Sequence, residues 1–223
     1  MNESEEINIS NEVNSDESDS DELILTAAQV IQIMEEAWSN EKFAPEILPH
    51  KYEIVECILG QISHVEENLS NLINDDLRRS IHQMELDRLR YLVSSYLRTR
   101  LEKIEAFVCC ILKEEDERAS RNKLSYLSPS ELEFAKAYRD GLDQHFTDTL
   151  KLLPAEILNN KIWQNEIITP NLDAFVFAKA KSQIEGVMIE RDEEFVDLEK
   201  GSQVIISYSN ISNLITNDKV SLI

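Results

Sequence analysis

The sequence predicts a mainly α protein, in which an N-terminal helical bundle domain precedes a small C-terminal β-rich domain. The 223 residues include only four glycines, well below the ~7% typical of proteins. Apolar residues recur at helical spacing through most of the first 150 positions. Beyond Pro170 the pattern changes to short runs rich in Val, Ile and Phe, which is typical of strands.

We predict four segments along the chain: a disordered acidic tail over residues 1–22, a helical domain over 23–153, a linker over 154–168 and a small β-domain over 169–223. The tail holds nine acids and no Lys or Arg, so it cannot bury enough apolar surface to offset the entropy of ordering. Ser18 is followed closely by three acids and is a possible phosphorylation site, although the tail is also consistent with simple solvation.

Four helices are expected in the helical domain. Thr26 and Gln29 form a capping-box pattern that begins a helix over about 26–39. A second helix follows Pro49 over about 51–72, and a third begins at Asp75 and runs to Lys113. The charged run over 113–123 is predicted to be a solvated connection. Ser128, Pro129 and Glu131 then begin a fourth helix, which ends near Leu150.

The third helix is apolar on too many sides for one neighbour. At 100° per residue, one stripe lies within ~60° of Leu77, and a second spans ~100–200°. Arg88 and Arg100 fall inside these faces, where a guanidinium needs an acidic partner. The helix is therefore expected to be buried either by its own chain, as the centre of a bundle, or by other subunits.

The length of this third helix limits its geometry. Thirty-nine helical residues at ~1.5 Å each reach ~58 Å, whereas a compact domain of the whole chain has a radius of gyration of only about 17 Å. Either the helix breaks, or the protein is elongated.

The charge of the chain argues against a nucleic-acid surface. The formal net charge is −21, so direct sequence-specific DNA binding is not expected, although seven of the 22 cations lie between Arg78 and Lys103. No apolar run is long enough to span a membrane, and the three unpaired cysteines indicate a reducing compartment.

No catalytic, cofactor-binding or metal-binding residues are identified. The four histidines show no ligand spacing with Glu, His or Cys, and nucleotide-binding and nucleophile motifs are lacking. We therefore predict a protein that is not an enzyme and has no cofactor, and keep a hydrolase with clustered carboxylates only as a remote alternative.

Several blocks of residues resemble one family. The block SIHQMELDRLRYLVSSYLRTRLEKIE resembles the signature of the Sld-five-type subunits of the GINS complex, the four-protein assembly of eukaryotic DNA replication. The family is also resembled by WSNEKFAPE from Trp38, LSPSELEFA over 127–135, DLEKGSQ over 197–203 and the apolar terminus VSLI. These blocks span nearly the whole chain in the family's order.

The resemblance implies a nuclear, non-catalytic subunit of a heterotetramer with three other GINS subunits. It also implies that the complex joins the MCM ring and the Cdc-forty-five protein to form the active replicative DNA helicase. The alternative is a free-standing acidic α/β adaptor that binds basic protein partners.

We predict that the third helix and its neighbours form the interface between subunits. Apolar anchors and charge-paired arginines are expected there, and the apolar C-terminal residues are either pinned by docking or form an ordinary last strand. The predicted interface residues are Trp38, Arg88, Tyr91, Tyr96, Leu97, Arg98, Arg100, Leu222 and Ile223.

Overall fold

The computed structural model describes residues 6–8, 24–70, 77–151, 168–188 and 195–223. In chain order, its elements are β1 (Glu6–Asn8), β2 (Ile24–Thr26), α1 (Ala27–Phe43), α2 (Tyr52–Ser70), α3 (Leu77–Ser120), α4 (Pro129–Leu150), β3 (Phe175–Ala180), β4 (Ile184–Met188), β5 (Phe195–Leu198), β6 (Gln203–Ser207), α5 (Tyr208–Thr216) and β7 (Val220–Leu222). The predicted class, helices followed by a small strand-rich region, is confirmed.

Two predicted segments lie largely outside the described residues. These are the linker, apart from Ile168, and the tail, including Ser18, apart from Glu6–Asn8. The latter form β1, which pairs antiparallel with β2, so these three residues differ from the predicted disorder. The proposed domain limits at 153 and 169 stay predictions.

The chain divides into two compact units, one of residues 1–38 with 51–96 and the other of residues 39–50 with 97–223. In the first unit, apolar faces of α1, α2 and α3 enclose a core that includes Met34, Ile58 and Leu86, each almost completely buried. The predicted capping box at α1 is confirmed, because the Thr26 N–H donates to Gln29 Oε1 at 2.9 Å and the Gln29 N–H donates to Thr26 Oγ1 at 3.4 Å.

The long helix α3 is interrupted, which is one of the two alternatives that its length predicted. Phe107 has φ −122° and ψ 26°, which lie outside the helical region. The prediction that the helix ends at Lys113 is wrong, since α3 continues to Ser120. Arg118 pairs with Glu114 and Glu115 at helical spacing, and such pairs support a helix in a charged run.

In the second unit, α4 begins as predicted. The Ser128 side chain accepts from the Glu131 N–H, the Glu131 side chain accepts from the Ser128 N–H, and Pro129 occupies the first turn. The apolar face of α4 packs with Ile104, Val108 and Ile111 of α3.

The C-terminal strands form two antiparallel sheets. One has the order β6-β3-β7, and the other pairs β4 with β5. Gly201, at φ +88°, lies in the turn before β6, and Gly186, at φ +67°, lies inside β4 at a shift in register. The inner face of the larger sheet and α5 form a common core with Ala44 and Leu48.

The helix α5 was not predicted. Tyr208, Ile211 and Ile215 are buried at helical spacing along it, but its nine residues carry too short a pattern to stand out beside the strand-like run that precedes it. Among the described helices, none is long and apolar enough to cross a membrane.

Candidate subunit interface

Large apolar side chains form an exposed row along the first four turns of α3. Leu77, Ile81, Met84 and Tyr91 are between 50% and 74% exposed, and with Arg88 they follow alternating spacings of four and three residues. This is the heptad spacing with which one helix packs against another. We call these five residues the α3 seam.

The seam is supported from beneath by Trp38 of α1. The Trp38 ring meets the Tyr91 ring edge-on, with centroids 6.4 Å apart, and the Trp38 Nε1–H donates to Ser95 Oγ at 2.9 Å. Two contacts thus fix the half-buried indole, and it in turn orients the exposed phenol ring of Tyr91.

Arg88 has the acidic partner that the sequence predicts, but it is not buried. Its guanidinium donates to Glu35 of α1, and its side chain is 68% exposed. The helical angles predict that Arg88 lies within an apolar face, and the described residues of the chain leave this face, the α3 seam, exposed. An exposed pair of this kind contributes little stability.

Arg100 is completely buried and satisfied by its own chain. Its Nε donates to Glu131 Oε1 at 2.7 Å and its Nη2 to Glu131 Oε2 at 3.0 Å, while its Nη1 donates to Glu41 Oε2 at 3.1 Å and to the Leu48 carbonyl at 2.7 Å. The Tyr126 carbonyl accepts a further bond at 2.9 Å. The predicted acidic partner is confirmed, and the contacts that surround this buried guanidinium are intramolecular.

The charges around Arg100 compensate one another. Burial opposes ionisation of Glu131, but the hydrogen bonds and charge of Arg100 outweigh it and lower the pKa of that carboxyl. Burial also lowers the pKa of Lys103, partly offset by Glu41, whose Oε1 accepts from Lys103 Nζ at 2.8 Å. The network thus joins α1, α3 and α4 through fixed charges.

The C-terminal strand is held by the end of α1. The Leu222 N–H donates to Asn40 Oδ1 at 2.7 Å, and the Leu222 carbonyl accepts from Ser39 Oγ at 2.9 Å. Deeper in, the Tyr208 hydroxyl donates to Glu46 Oε1 at 2.8 Å. Burial is the main cause of the raised pKa values of both groups. The last strand is therefore part of the sheet and is also docked.

The predicted interface residues separate into two groups. Tyr96, Arg100 and Leu222 are buried and make contacts within the chain, and their place at an interface stays a prediction. Lys51 N–H, for example, donates to Tyr96 Oη at 3.3 Å. The other group is accessible, and its place at an interface remains a proposal; it consists of Trp38, Arg88, Tyr91, Leu97, Arg98 and Ile223.

The sequence reading did not assign Asn40, Glu41 or Lys103 a role. Glu41 lies in the WSNEKFAPE block and Lys103 in the SIHQMELDRLRYLVSSYLRTRLEKIE block, but only the fold brings them together. Across the described ranges, no group of three His, Cys, Asp or Glu side chains is placed to hold a metal ion.

Residues 6–150 match the family described as the GINS complex protein helical bundle domain, and residues 170–223 match the DNA replication complex GINS protein SLD5 C-terminus. The chain belongs to the SLD5 family. This confirms the resemblance seen in the sequence blocks.

Individual SLD5-family proteins are similar over nearly their whole length. Three relatives carry the name DNA replication complex GINS protein SLD5. The rat protein (Rattus norvegicus) is 44% identical over 210 residues, covering 92% of this chain and 93% of its own. The human protein (Homo sapiens) is 41% identical with the same coverage. The Schizosaccharomyces pombe protein is 30% identical over 194 residues, covering 83% of this chain and 88% of its own.

Proposed function

We propose that this SLD5-family chain is a non-catalytic structural subunit of the four-protein GINS complex in the nucleus. In this proposal it assembles with the three other GINS subunits, and the complex joins the MCM ring and the Cdc-forty-five protein to form the active replicative DNA helicase. The names of its relatives, which include the GINS complex and DNA replication, support the assembly. The observation that carries the proposal on this chain is the exposed α3 seam.

The seam has the properties of a surface that another helix covers. Four large apolar side chains are exposed in one row, and contiguous exposed apolar surface in a soluble protein marks an interaction site. Their heptad spacing suits a single partner helix. Trp38, which is itself bonded to Ser95, holds the Tyr91 ring in position before binding, and this reduces the entropy lost on association.

The test is recovery of the complex after co-expression with the three other GINS subunits. Met84→Asp places a charge in the middle of the seam, where desolvation on binding would be costly, so we expect recovery to fall roughly tenfold, as for loss of a hot spot. Leu124→Asp is the matched control, because Leu124 is also highly exposed, at 88%, and lies outside the seam.

Two results would contradict this proposal. One is unchanged recovery of the complex with Met84→Asp. The other is an unmodified chain that melts cooperatively as a monomer and does not bind the three other subunits, which would favour the acidic adaptor.

The same assay tests Arg98. We expect Arg98→Ala to lower recovery of the complex, because this exposed guanidinium is placed to pair with a carboxylate of a partner.

A further inference from the structure

The strand β6 is an edge strand with outward-facing backbone groups. It lies at one end of the sheet order β6-β3-β7. The backbone groups of Ser202 and Tyr208, just outside the two ends of β6, bond to residues at the two ends of β3. Val204 and Ile206 lie two and four residues after Ser202, so their backbone groups also point towards β3. Because antiparallel ladders alternate, the N–H and C=O groups of the intervening residues Gln203 and Ile205 point away from β3, and no described strand pairs with them.

The two edges of this sheet are treated differently. At β7, the end of α1 covers the edge, since Asn40 and Ser39 bond both backbone groups of Leu222. The β6 sequence, QVIIS, contains no charge and no proline, which are the features that proteins use to protect a free edge from pairing with another chain. The described part of the chain therefore leaves β6 open to a further strand.

The outer face of the same sheet is apolar. Ile205 on β6 lies directly opposite Phe177 on β3, and with Phe175 these residues are between 57% and 68% exposed. Within β3, β6 and β7, the one ionisable side chain on this face is the exposed Lys179, which lies opposite Gln203. The face thus presents apolar side chains with a cation at one end.

We propose that β6 is a docking edge for an extended segment of another protein, which adds a strand next to it. The segment has alternating apolar side chains that extend the row formed by Phe177 and Ile205, and an acidic side chain near Gln203 that complements Lys179. Backbone bonds supply affinity in such strand addition, and alternate side chains supply specificity. A second copy of this chain fits less well, because its own β6 face offers Lys179 no acid.

This docking edge is separate from the α3 seam and does not rest on the proposed assembly. The probe is a synthetic peptide as long as β6 that alternates valine and threonine and carries glutamate at one end. A matched peptide carries lysine in its place. We expect the glutamate peptide at millimolar concentration to slow amide hydrogen exchange at Gln203 and Ile205 of the full chain, and the lysine peptide to bind up to about fivefold more weakly.

Two variants make the test specific. Ile205→Pro removes an outward N–H while leaving the β3 ladder intact, so it should abolish peptide binding and keep the slow exchange of the Ile206 amide. Lys179→Glu changes an exposed side chain only, and it should reverse the preference between the two peptides. Absence of exchange protection at Gln203 and Ile205 with either peptide, or binding that survives Ile205→Pro, would overturn the proposal. Concentration-dependent dimerisation through the β6 edge would instead identify a second copy as the occupant.

Discussion

Arg100 shows how a single side chain can fix several elements. Its guanidinium spans Glu41 on α1, the Leu48 carbonyl and Glu131 on α4, using both the fork and the permanent charge that distinguish arginine from lysine. Such a buried cluster is weak evidence of net stabilisation, but the loss of one partner leaves uncompensated charge in the core.

We expect Arg100→Met to lower the free energy of unfolding by about 3–5 kcal/mol, because Glu131 loses its pairing and Glu41 keeps only Lys103. Urea unfolding of the purified chain measures this. Arg98→Ala is the matched control, since Arg98 is exposed on the same helix and its removal should change the free energy by no more than about 0.5 kcal/mol. Equal effects of the two variants would contradict the special role of Arg100.

Glu46 should make the protein less stable as the pH rises. Burial raises the pKa of its carboxyl in the folded state. The protonated Glu46 side chain therefore contributes its full stability below the ordinary pKa of 4.5, and this contribution is lost as the pH rises through the folded-state pKa. Glu46→Gln retains an acceptor for the Tyr208 hydroxyl. We expect this variant to melt at a higher temperature than the unmodified chain at pH 7, with the difference disappearing towards pH 4.

Glu131 provides the internal contrast for that experiment. Its pKa is lowered in spite of burial, through the Arg100 contacts, so its stability contribution is present above the ordinary pKa and is lost as the pH falls through the folded-state value. Glu131→Gln should therefore destabilise the chain most at neutral pH.

The Glu46 prediction would be contradicted if Glu46→Gln were also less stable than the unmodified chain at pH 7, because ionised Glu46 would then be favourable.

At the scale of elements, the helix starts were readable because their signals are local. Thr26 with Gln29 and Ser128 with Glu131 each formed the predicted capping box. The predicted end of α3 was wrong, because a charged run such as that around Arg118 is compatible with either a helix or a solvated connection. In the structure, ion pairs at helical spacing stabilise the helix there. The helix α5 is too short for periodicity to reveal.

The cap of α4 offers a test at this scale. Ser128 is buried and accepts from the Glu131 N–H, so Ser128→Ala should lower the free energy of unfolding by about 1 kcal/mol. Ser94→Ala is the control because Ser94 is exposed in the interior of α3 and caps no helix. Thermal melting of the two variants compares them, and similar losses would show that the cap contributes nothing specific.

At the scale of the whole molecule, the sequence predicted a helical region followed by a strand-rich one, but not which residues the fold buries. The over-wide apolar arc on α3 was visible in the sequence, and so was the need of Arg100 for an acid. Periodicity could not distinguish a residue that the chain itself buries, such as Tyr96, from one that stays exposed, such as Tyr91. That distinction depends on which elements the fold brings together. The docking of β7 on Asn40 could not be predicted for the same reason, because the two segments are distant in the sequence.

The bond between Asn40 and Leu222 joins residues 182 positions apart. Contacts of such long range are among the slowest to form, because the entropy of closing the loop is lost before the contact returns any stability. Docking of β7 is therefore expected late in folding, after the transition state. Asn40→Ala should speed unfolding and leave the folding rate nearly unchanged, which stopped-flow kinetics can measure; an equally slowed folding rate would place the contact in the folding nucleus.

The same delay has a consequence for a newly made chain. Val220 and Leu222 of β7 belong to the core that also includes Ala44 and Leu48, so a chain in which β7 has not docked exposes apolar side chains that the folded chain buries. Aggregation and chaperone binding act on such surfaces. If β7 docks last, as expected, the rate at which Leu222 reaches Asn40 sets how long a newly made chain stays exposed to aggregation.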